Sequence, residues 1–99
     1  MYAMTGKLIA HNGKRNELAS ILKEAAGVVG KIRECKMYIV CEDVSNENIV
    51  WVFEVWDTKQ AHDDSLQNEQ TRALISQARP LLAAAPDGAE LKMIGGHGI

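Results

Sequence analysis

The sequence predicts an α+β, ferredoxin-like (split βαβ) fold, in which a four-stranded antiparallel sheet carries its helices on one face. Hydrophobic periodicities alternate along the chain in the order β-α-β-β-α-β, which is the order of that motif. A polar, turn-rich segment at residues 45–48 separates strands two and three and favours a hairpin between them. The chain has 99 residues, so a single domain is expected over residues 1–99.

The first half of the chain provides a strand, a helix and a second strand. The first strand is predicted over residues 4–10 and precedes the turn signal Asn12-Gly13. A helix is predicted from Lys14, because apolar residues then recur at the spacing of one helix face. Those residues are Leu18, Ile21, Leu22, Ala25 and Val29. The second strand is predicted over residues 35–43, with Cys35, Met37, Ile39 and Cys41 on one face.

The third strand, residues 50–56, is apolar at nearly every position, so both of its faces should be covered. A helix is predicted directly after it, with Asp57 or Thr58 as the N-cap. Residues 71–79 predict a further helical segment that ends near Pro80, and residues 81–85 can add another turn. The last strand is predicted over residues 90–94.

The sheet face away from the helices must meet water or a partner. Tyr38, Val40 and one row of the 50–56 strand are expected on this face, which is then too apolar for a small monomer. A homodimer formed sheet to sheet is therefore predicted.

Composition excludes several classes of protein. The net charge of -2 and the absence of a basic run argue against a nucleic-acid surface. No apolar run approaches the roughly 20 residues of a membrane span, and no secretory signal is visible, so a cytoplasmic location is expected. Cys35 and Cys41 would lie about 20 Å apart in one strand, too far for a disulfide.

Several short motifs, each in register with a predicted element, together resemble the antibiotic biosynthesis monooxygenase family. They are Gly13-Lys14, Cys35-x-x-Tyr38 and Glu54-x-Trp56. A subgroup with quinol-monooxygenase-like members is indicated more narrowly by His62-Asp63-x-Ser65-Leu66, Arg79-Pro80-Leu81 and Gly95-Gly96-His97-Gly98.

The resemblance implies a small dimeric ferredoxin-like protein that oxygenates a phenolic or quinol-like substrate with O₂, without metal, flavin or haem. The relatives of this family include haem-degrading enzymes and a sugar-phosphate isomerase, so the fold alone does not fix the reaction. Ser65 stands where many members have a histidine, and Ser65 and Ile75 replace the residues expected of haem degraders. Glu34 replaces a usual glycine before Cys35.

His62 and Ser65 are the candidate catalytic residues. An imidazole titrates near neutral pH, so His62 can accept a phenolic proton, whose ordinary pKa is near 10. Ser65 lies three residues later on nearly the same helix face and can help to hold a substrate oxygen. The alternative for His62 is a surface residue hydrogen-bonded to Asp63 or to solvent.

Glu54, Trp56, Tyr38 and His97 are the candidate substrate-binding residues. Buried glutamate needs a partner, so Glu54 is expected mainly to pair with Arg72, Arg79 or a lysine. Trp56 could stack on a flat substrate, but Trp56 and Tyr38 also suit a core or an interface. His97 lies among glycines near the end of the chain and could fold over a pocket mouth.

No metal site is predicted, because His11, His62 and His97 lack ligand spacing. The predicted function is a cofactor-independent monooxygenase acting on a small quinol or aromatic, polyketide-like substrate. The alternatives are a non-catalytic dimeric binding or stress-related domain and a small-molecule isomerase. An enclosed pocket with His62 pointing into it would favour the enzyme, and a filled core there would favour the non-catalytic domain.

Overall fold

The computed structural model describes residues 1–98 and confirms the ferredoxin-like prediction. A four-stranded antiparallel sheet has the strand order β2-β3-β1-β4, so β1 and β3 are its central strands. The strands are β1 (Tyr2–Ile9), β2 (Cys35–Glu42), β3 (Ile49–Trp56) and β4 (Asp87–Lys92). The helices are α1 (Arg15–Val29), α2 (Lys59–Ser65) and α3 (Glu69–Ala78), and a 3₁₀ turn follows at Arg79–Leu81.

Two side-chain caps divide the region after β3 into separate helices. The Thr58 hydroxyl accepts a hydrogen bond from the Ala61 N–H at 3.1 Å and begins α2, as one of the two predicted caps. The Asn68 side chain accepts bonds from the N–H groups of Gln70 and Thr71 and begins α3. The first cap fixes the start of α2 and therefore places His62 at its fourth residue.

The hydrophobic core lies between the sheet and the layer formed by α1, α3 and the 3₁₀ turn. Leu18 of α1 and Val50 of β3 are fully buried at its centre. Ala10, Ala78 and Leu81 complete the buried cluster. No helix within residues 1–98 combines the length and the apolar character needed to cross a membrane.

The strand register sets which side chains face the helices. Glu54 and Trp56 share the helix-side row of β3 with Val50, because alternate residues point the same way. The expectation that Tyr38 and Val40 lie on the opposite face is wrong. Tyr38 is paired with Glu54, and Val40 packs against the core around Val50, so both belong to the helix side.

A β-bulge in β2 changes the orientation of Cys35. Met37 is paired with Val55, whereas Cys35 is paired with Trp56, so Lys36 is an extra residue between the two pairs. Cys35 therefore lies on the helix side with Trp56. Strict alternation predicts instead that Cys35 lies on the opposite face with Met37, and this prediction is wrong. Cys35 is a free thiol, as is Cys41.

The sheet face away from the helices remains apolar after these corrections. We call it the open face and define it by Ile39, Trp51 and Leu91, whose exposed fractions are 42%, 39% and 45%. Leu91 comes from β4, which begins three residues earlier than predicted. At its start, a Cβ atom on Gly88 would lie 2.3 Å from the Thr5 carbonyl oxygen, so only glycine allows this close strand approach.

Candidate functional site

A buried polar cluster lies where β3 ends and α2 begins. Trp56 is fully buried, and its indole N–H donates a hydrogen bond of 3.0 Å to Glu54 Oε1. His62 Nε2 lies 3.9 Å from the same carboxylate oxygen. The His62 ring meets the Trp56 ring edge-on, with 5.8 Å between the ring centroids. Three of the predicted site residues are therefore in direct proximity.

The remaining surroundings of His62 come from β1 and from α2 itself. The Tyr2 ring lies 5.4 Å from the His62 ring, tilted by 45°. His62 Nδ1 lies 3.0 Å from Asp63 Oδ1, within hydrogen-bond distance. Only 5% of His62 is exposed, so the alternative of a surface histidine is wrong, although its expected contact with Asp63 is present.

The environment of Glu54 favours its neutral form more than water does. Burial raises the pKa of Glu54, while the Trp56 hydrogen bond and the charge of His62 act in the opposite direction. Within residues 1–98, the ion-pair partner of Glu54 is His62, and neither Arg72 nor Arg79 bridges to it. The expectation that an arginine or a lysine pairs with Glu54 is therefore wrong, because Trp56 and His62 lie beside its carboxylate instead.

The β2 side of the cluster contributes two neutral groups. Burial is the main cause that raises the pKa of Tyr38 far above its ordinary range, and the charge of Glu54 adds to it. The pKa of Cys35 is raised for the same two reasons. The phenol and the thiol therefore stay protonated at neutral pH.

A surface network covers the cluster on the Tyr2 side. The Tyr2 hydroxyl donates to Glu90 Oε2 at 3.1 Å, and Lys59 Nζ lies 3.0 Å from the same oxygen. Lys59 Nζ also lies 3.5 Å from Asp63 Oδ2 and 5.6 Å from the centre of the Tyr2 ring. These contacts join β1, β4 and α2 above His62.

Ser65 does not present its hydroxyl to the His62 ring. The hydroxyl is buried and donates to the His62 backbone carbonyl within α2. Ser65 also lines a neighbouring groove of about 530 Å³ together with residues such as Ile32, Glu34 and Gln67, and His62 is not part of that lining. His97 is exposed in the segment after β4. Its place over a pocket mouth stays a prediction.

The space between β3 and α2 is occupied by the rings of Trp56 and His62. Only a small part of His62 is therefore open to solvent. Among residues 1–98, no group of three His, Cys, Asp or Glu side chains is arranged to hold a metal ion.

Sequence reasoning missed four residues of this site, namely Tyr2, Cys35, Lys59 and Glu90. Tyr2 was outside the predicted first strand, and Lys59 and Glu90 meet only through the pairing of β4 with β1. The bulge that turns Cys35 has no sequence signal of the usual kind, because residue 36 is a lysine and not a glycine.

Comparisons with known proteins indicate the family to which the chain is similar. The family model for antibiotic biosynthesis monooxygenase matches residues 1–77. A candidate antibiotic biosynthesis monooxygenase from Chloroflexus aurantiacus has 36% identity and a TM-score of 0.89, with 99% of this chain and 97% of that chain covered. A second candidate, from Deinococcus radiodurans, has 21% identity and a TM-score of 0.86, with 100% and 98% covered.

A more distant solved structure shares the fold. SnoaB from Streptomyces nogalater, a cofactor-independent oxygenase that was solved as a point mutant, has 12% identity and a TM-score of 0.83, with 97% of this chain and 95% of that chain covered. The comparison with curated proteins found no match.

Proposed function

Because the chain belongs to the antibiotic biosynthesis monooxygenase family, we propose that it is a cofactor-independent monooxygenase. In this proposal it uses O₂ on a small quinol or aromatic, polyketide-like substrate. The observation that carries the proposal is the pair formed by buried His62 and largely buried Glu54, with aromatic rings against the imidazole. The fold shared with SnoaB, a cofactor-independent oxygenase, supports it at the level of architecture.

The chemistry begins with the removal of a phenolic proton. A phenol with an ordinary pKa near 10 is mostly protonated at neutral pH, and its anion is the form that gives electrons to O₂ readily. His62 Nε2 accepts that proton, and the imidazolium that forms lies beside the Glu54 carboxylate, 3.9 Å away. The substrate then supplies the electrons, one oxygen atom enters it, and the other leaves as water.

Access to His62 in this proposal is through the Tyr2 side. The Tyr2 ring lies against His62, and its hydroxyl is bound by Glu90, which is exposed. A hydrogen bond to a charged group contributes only about 1.5–3 kcal/mol, so a flat aromatic substrate can displace the ring and take its place beside the imidazole. We propose Trp56 and Tyr38 as the aromatic walls and His97 as a cover for the opening.

Ser65 has a supporting role in this proposal. Its hydroxyl proton is bound to the His62 carbonyl, so Ser65 stabilises the helical turn that carries the imidazole. This replaces a direct contact with a substrate oxyanion.

We also propose a homodimer that buries the open face. Ile39, Trp51 and Leu91 expose apolar surface there, and specific interfaces bury at least about 1,200 Å² in total. Sedimentation analysis at micromolar concentration should give the mass of two chains, and Trp51→Glu should give a single chain. A monomeric wild-type protein would contradict the dimer.

The test of the proposed activity is O₂ uptake with a panel of quinols and hydroxylated aromatic polyketides. His62→Ala should lower turnover by about 10²–10⁴-fold, since positioned proton transfer contributes that much. His11→Ala is the matched control, because His11 is exposed in the loop after β1, and it should retain full turnover. Full turnover in His62→Ala would show that His62 is not the base.

One observation favours a second candidate, a non-catalytic dimeric binding domain. The rings of Trp56 and His62 fill the space between β3 and α2, as they would in a core. Absence of O₂ uptake with the whole panel would support this candidate. Conversion of a substrate without O₂ uptake would instead support an isomerase that uses the same base.

A further inference from the structure

The structure assigns to Asp63 the task of positioning His62 and of fixing which ring nitrogen can act as the base. We infer that Asp63 holds a proton on Nδ1 and thereby leaves Nε2 free to accept a proton. The catalytic consequence rests on the proposed function, whereas the positioning itself can be measured without any substrate.

The hydrogen bond between Asp63 and His62 determines the tautomer. Asp63 Oδ1 lies 3.0 Å from His62 Nδ1, and an ionised carboxylate can only accept a hydrogen bond. The shared proton therefore belongs to Nδ1. In a neutral imidazole, Nε2 then has a free lone pair and faces the interior of the cluster.

Glu54 competes with Asp63 for the ring proton. If the proton moved to Nε2, it would point toward Glu54 Oε1, and Nε2 would no longer be a base. The distances decide between the two acceptors, because 3.0 Å to Asp63 is a hydrogen bond and 3.9 Å to Glu54 is too long for one. Glu54 Oε1 also already accepts the Trp56 N–H.

Asp63 is well suited to be the permanent acceptor. Its side chain is 44% exposed, so water solvates its charge, and the hydrogen bond from His62 lowers the pKa of Asp63. Lys59 Nζ, one helical turn earlier, lies 3.5 Å from its second oxygen and is itself bound to Glu90. The carboxylate therefore stays charged and in place across the neutral range.

The other groups around the imidazole do not provide such an acceptor. Tyr2 of β1 and Trp56 of β3 meet the ring with their aromatic rings. Lys59 and Glu90 reach it only through Tyr2 and Asp63. Among the residues that contact the His62 ring within residues 1–98, Asp63 is therefore the one that positions it.

The experiment is nitrogen NMR of the histidine rings in the resting protein, with Asp63→Ala as the variant. The His62 signals are assigned by their loss in His62→Gln. In the wild-type protein with a neutral ring, Nδ1 should be protonated and Nε2 should not. In Asp63→Ala, the signals should shift toward the Nε2–H form, which a free neutral imidazole prefers.

Asp64→Ala is the matched control. Asp64 is the next residue of α2, and its carboxylate accepts a hydrogen bond from Gln60 and not from His62. The His62 tautomer in this variant should equal that of the wild type. A wild-type protein with the proton on Nε2, or an unchanged tautomer in Asp63→Ala, would overturn the inference.

An activity measurement separates this inference from the proposed function. If the protein oxidises a quinol, Asp63→Ala should lower kcat by about 10–100-fold, by analogy with the range found when the hydrogen-bonded partner of a metal-ligating histidine is removed. KM should change little, because Asp63 does not touch the substrate. A wild-type protein without oxygenase activity would refute the proposed function and leave the NMR result unaffected.

Discussion

Trp56→Phe should destabilise the protein chiefly because it removes the hydrogen-bond donor of a buried carboxylate. The Trp56 indole N–H donates to Glu54 Oε1 at 3.0 Å. The other neighbour of this carboxylate is His62, whose Nε2 lies 3.9 Å from the same oxygen. Phenylalanine retains most of the ring volume and has no donor. Urea unfolding followed by circular dichroism, at one fixed protein concentration, measures the effect.

The expected loss follows from two contributions. A hydrogen bond to a charged group contributes about 1.5–3 kcal/mol. The smaller ring leaves a cavity that costs about 1 kcal/mol, because Trp56 is fully buried. The free energy of unfolding should therefore fall by about 2.5–4 kcal/mol, a large part of the roughly 5–15 kcal/mol of a typical domain. The corresponding decrease in Tm is about 10–30 °C.

A double-mutant cycle with Glu54→Leu separates the two contributions. In the Glu54→Leu background, Trp56→Phe should cost only about 1 kcal/mol, so the coupling energy should be about 1.5–3 kcal/mol. A coupling energy below about 0.5 kcal/mol would refute the reasoning, since the additivity error of such cycles is of that size.

The penalty of Trp56→Phe should also depend on pH. Burial raises the pKa of Glu54 above its ordinary value of 4.5, so the folded protein binds this proton more tightly than the unfolded chain. Losing the Trp56 bond raises that folded pKa further. The extra destabilisation should therefore be small below pH 4.5, where Glu54 is protonated in both states, and should grow as the pH rises.

Three further predictions concern single side chains. Thr58→Ala should lower the free energy of unfolding by about 0.5–2 kcal/mol, because the α2 cap is lost. Thr58→Ser keeps the hydroxyl and should be nearly neutral. Equal losses in the two variants would contradict the role of the cap. Thr71→Val should leave the free energy of unfolding unchanged or raise it, because the Thr71 hydroxyl is buried with no hydrogen-bond partner among the described residues. A decrease of more than about 1 kcal/mol would contradict this prediction. In the Trp51→Glu variant, whose open face is expected to stay uncovered, iodoacetamide at pH 8 should alkylate exposed Cys41 faster than Cys35, whose pKa burial raises. Mass spectrometry after limited reaction measures the order, and the reverse order would contradict it.

Local periodicity was sufficient to predict the order of elements and the two faces of β3. Successive side chains of a single strand point to opposite faces, so this alternation needs no information about other elements. In the structure, one face of β3 carries Val50, Glu54 and Trp56, and the other carries Trp51. The polar pattern after β3 likewise predicted the capped helix that carries His62. These features depend on residues close in sequence, which is why the sequence alone could indicate that Glu54, Trp56 and His62 lie near one another.

The contacts between elements were less predictable, because they depend on register. The face occupied by Tyr38 is decided by its pairing with Glu54, which lies sixteen positions later in the chain. The cover formed by Tyr2 and Glu90 depends on the pairing of the first and last strands. The contact between Asp63 and a buried His62 joins adjacent helical residues, which usually point to different sides, so helix periodicity does not predict it.

The bulge at Lys36 has a consequence for how sequences of different length can share this sheet. Lys36 is unpaired, and its side chain makes only exposed contacts with the Arg33 carbonyl and Asp57. A relative that lacks this one residue could keep Cys35 opposite Trp56 and Met37 opposite Val55, with every other pair unchanged. A gap at any of residues 37–41 would instead exchange the two faces of β2 on one side of the gap. Among relatives with an intact site, a one-residue length difference in this strand should therefore fall at position 36.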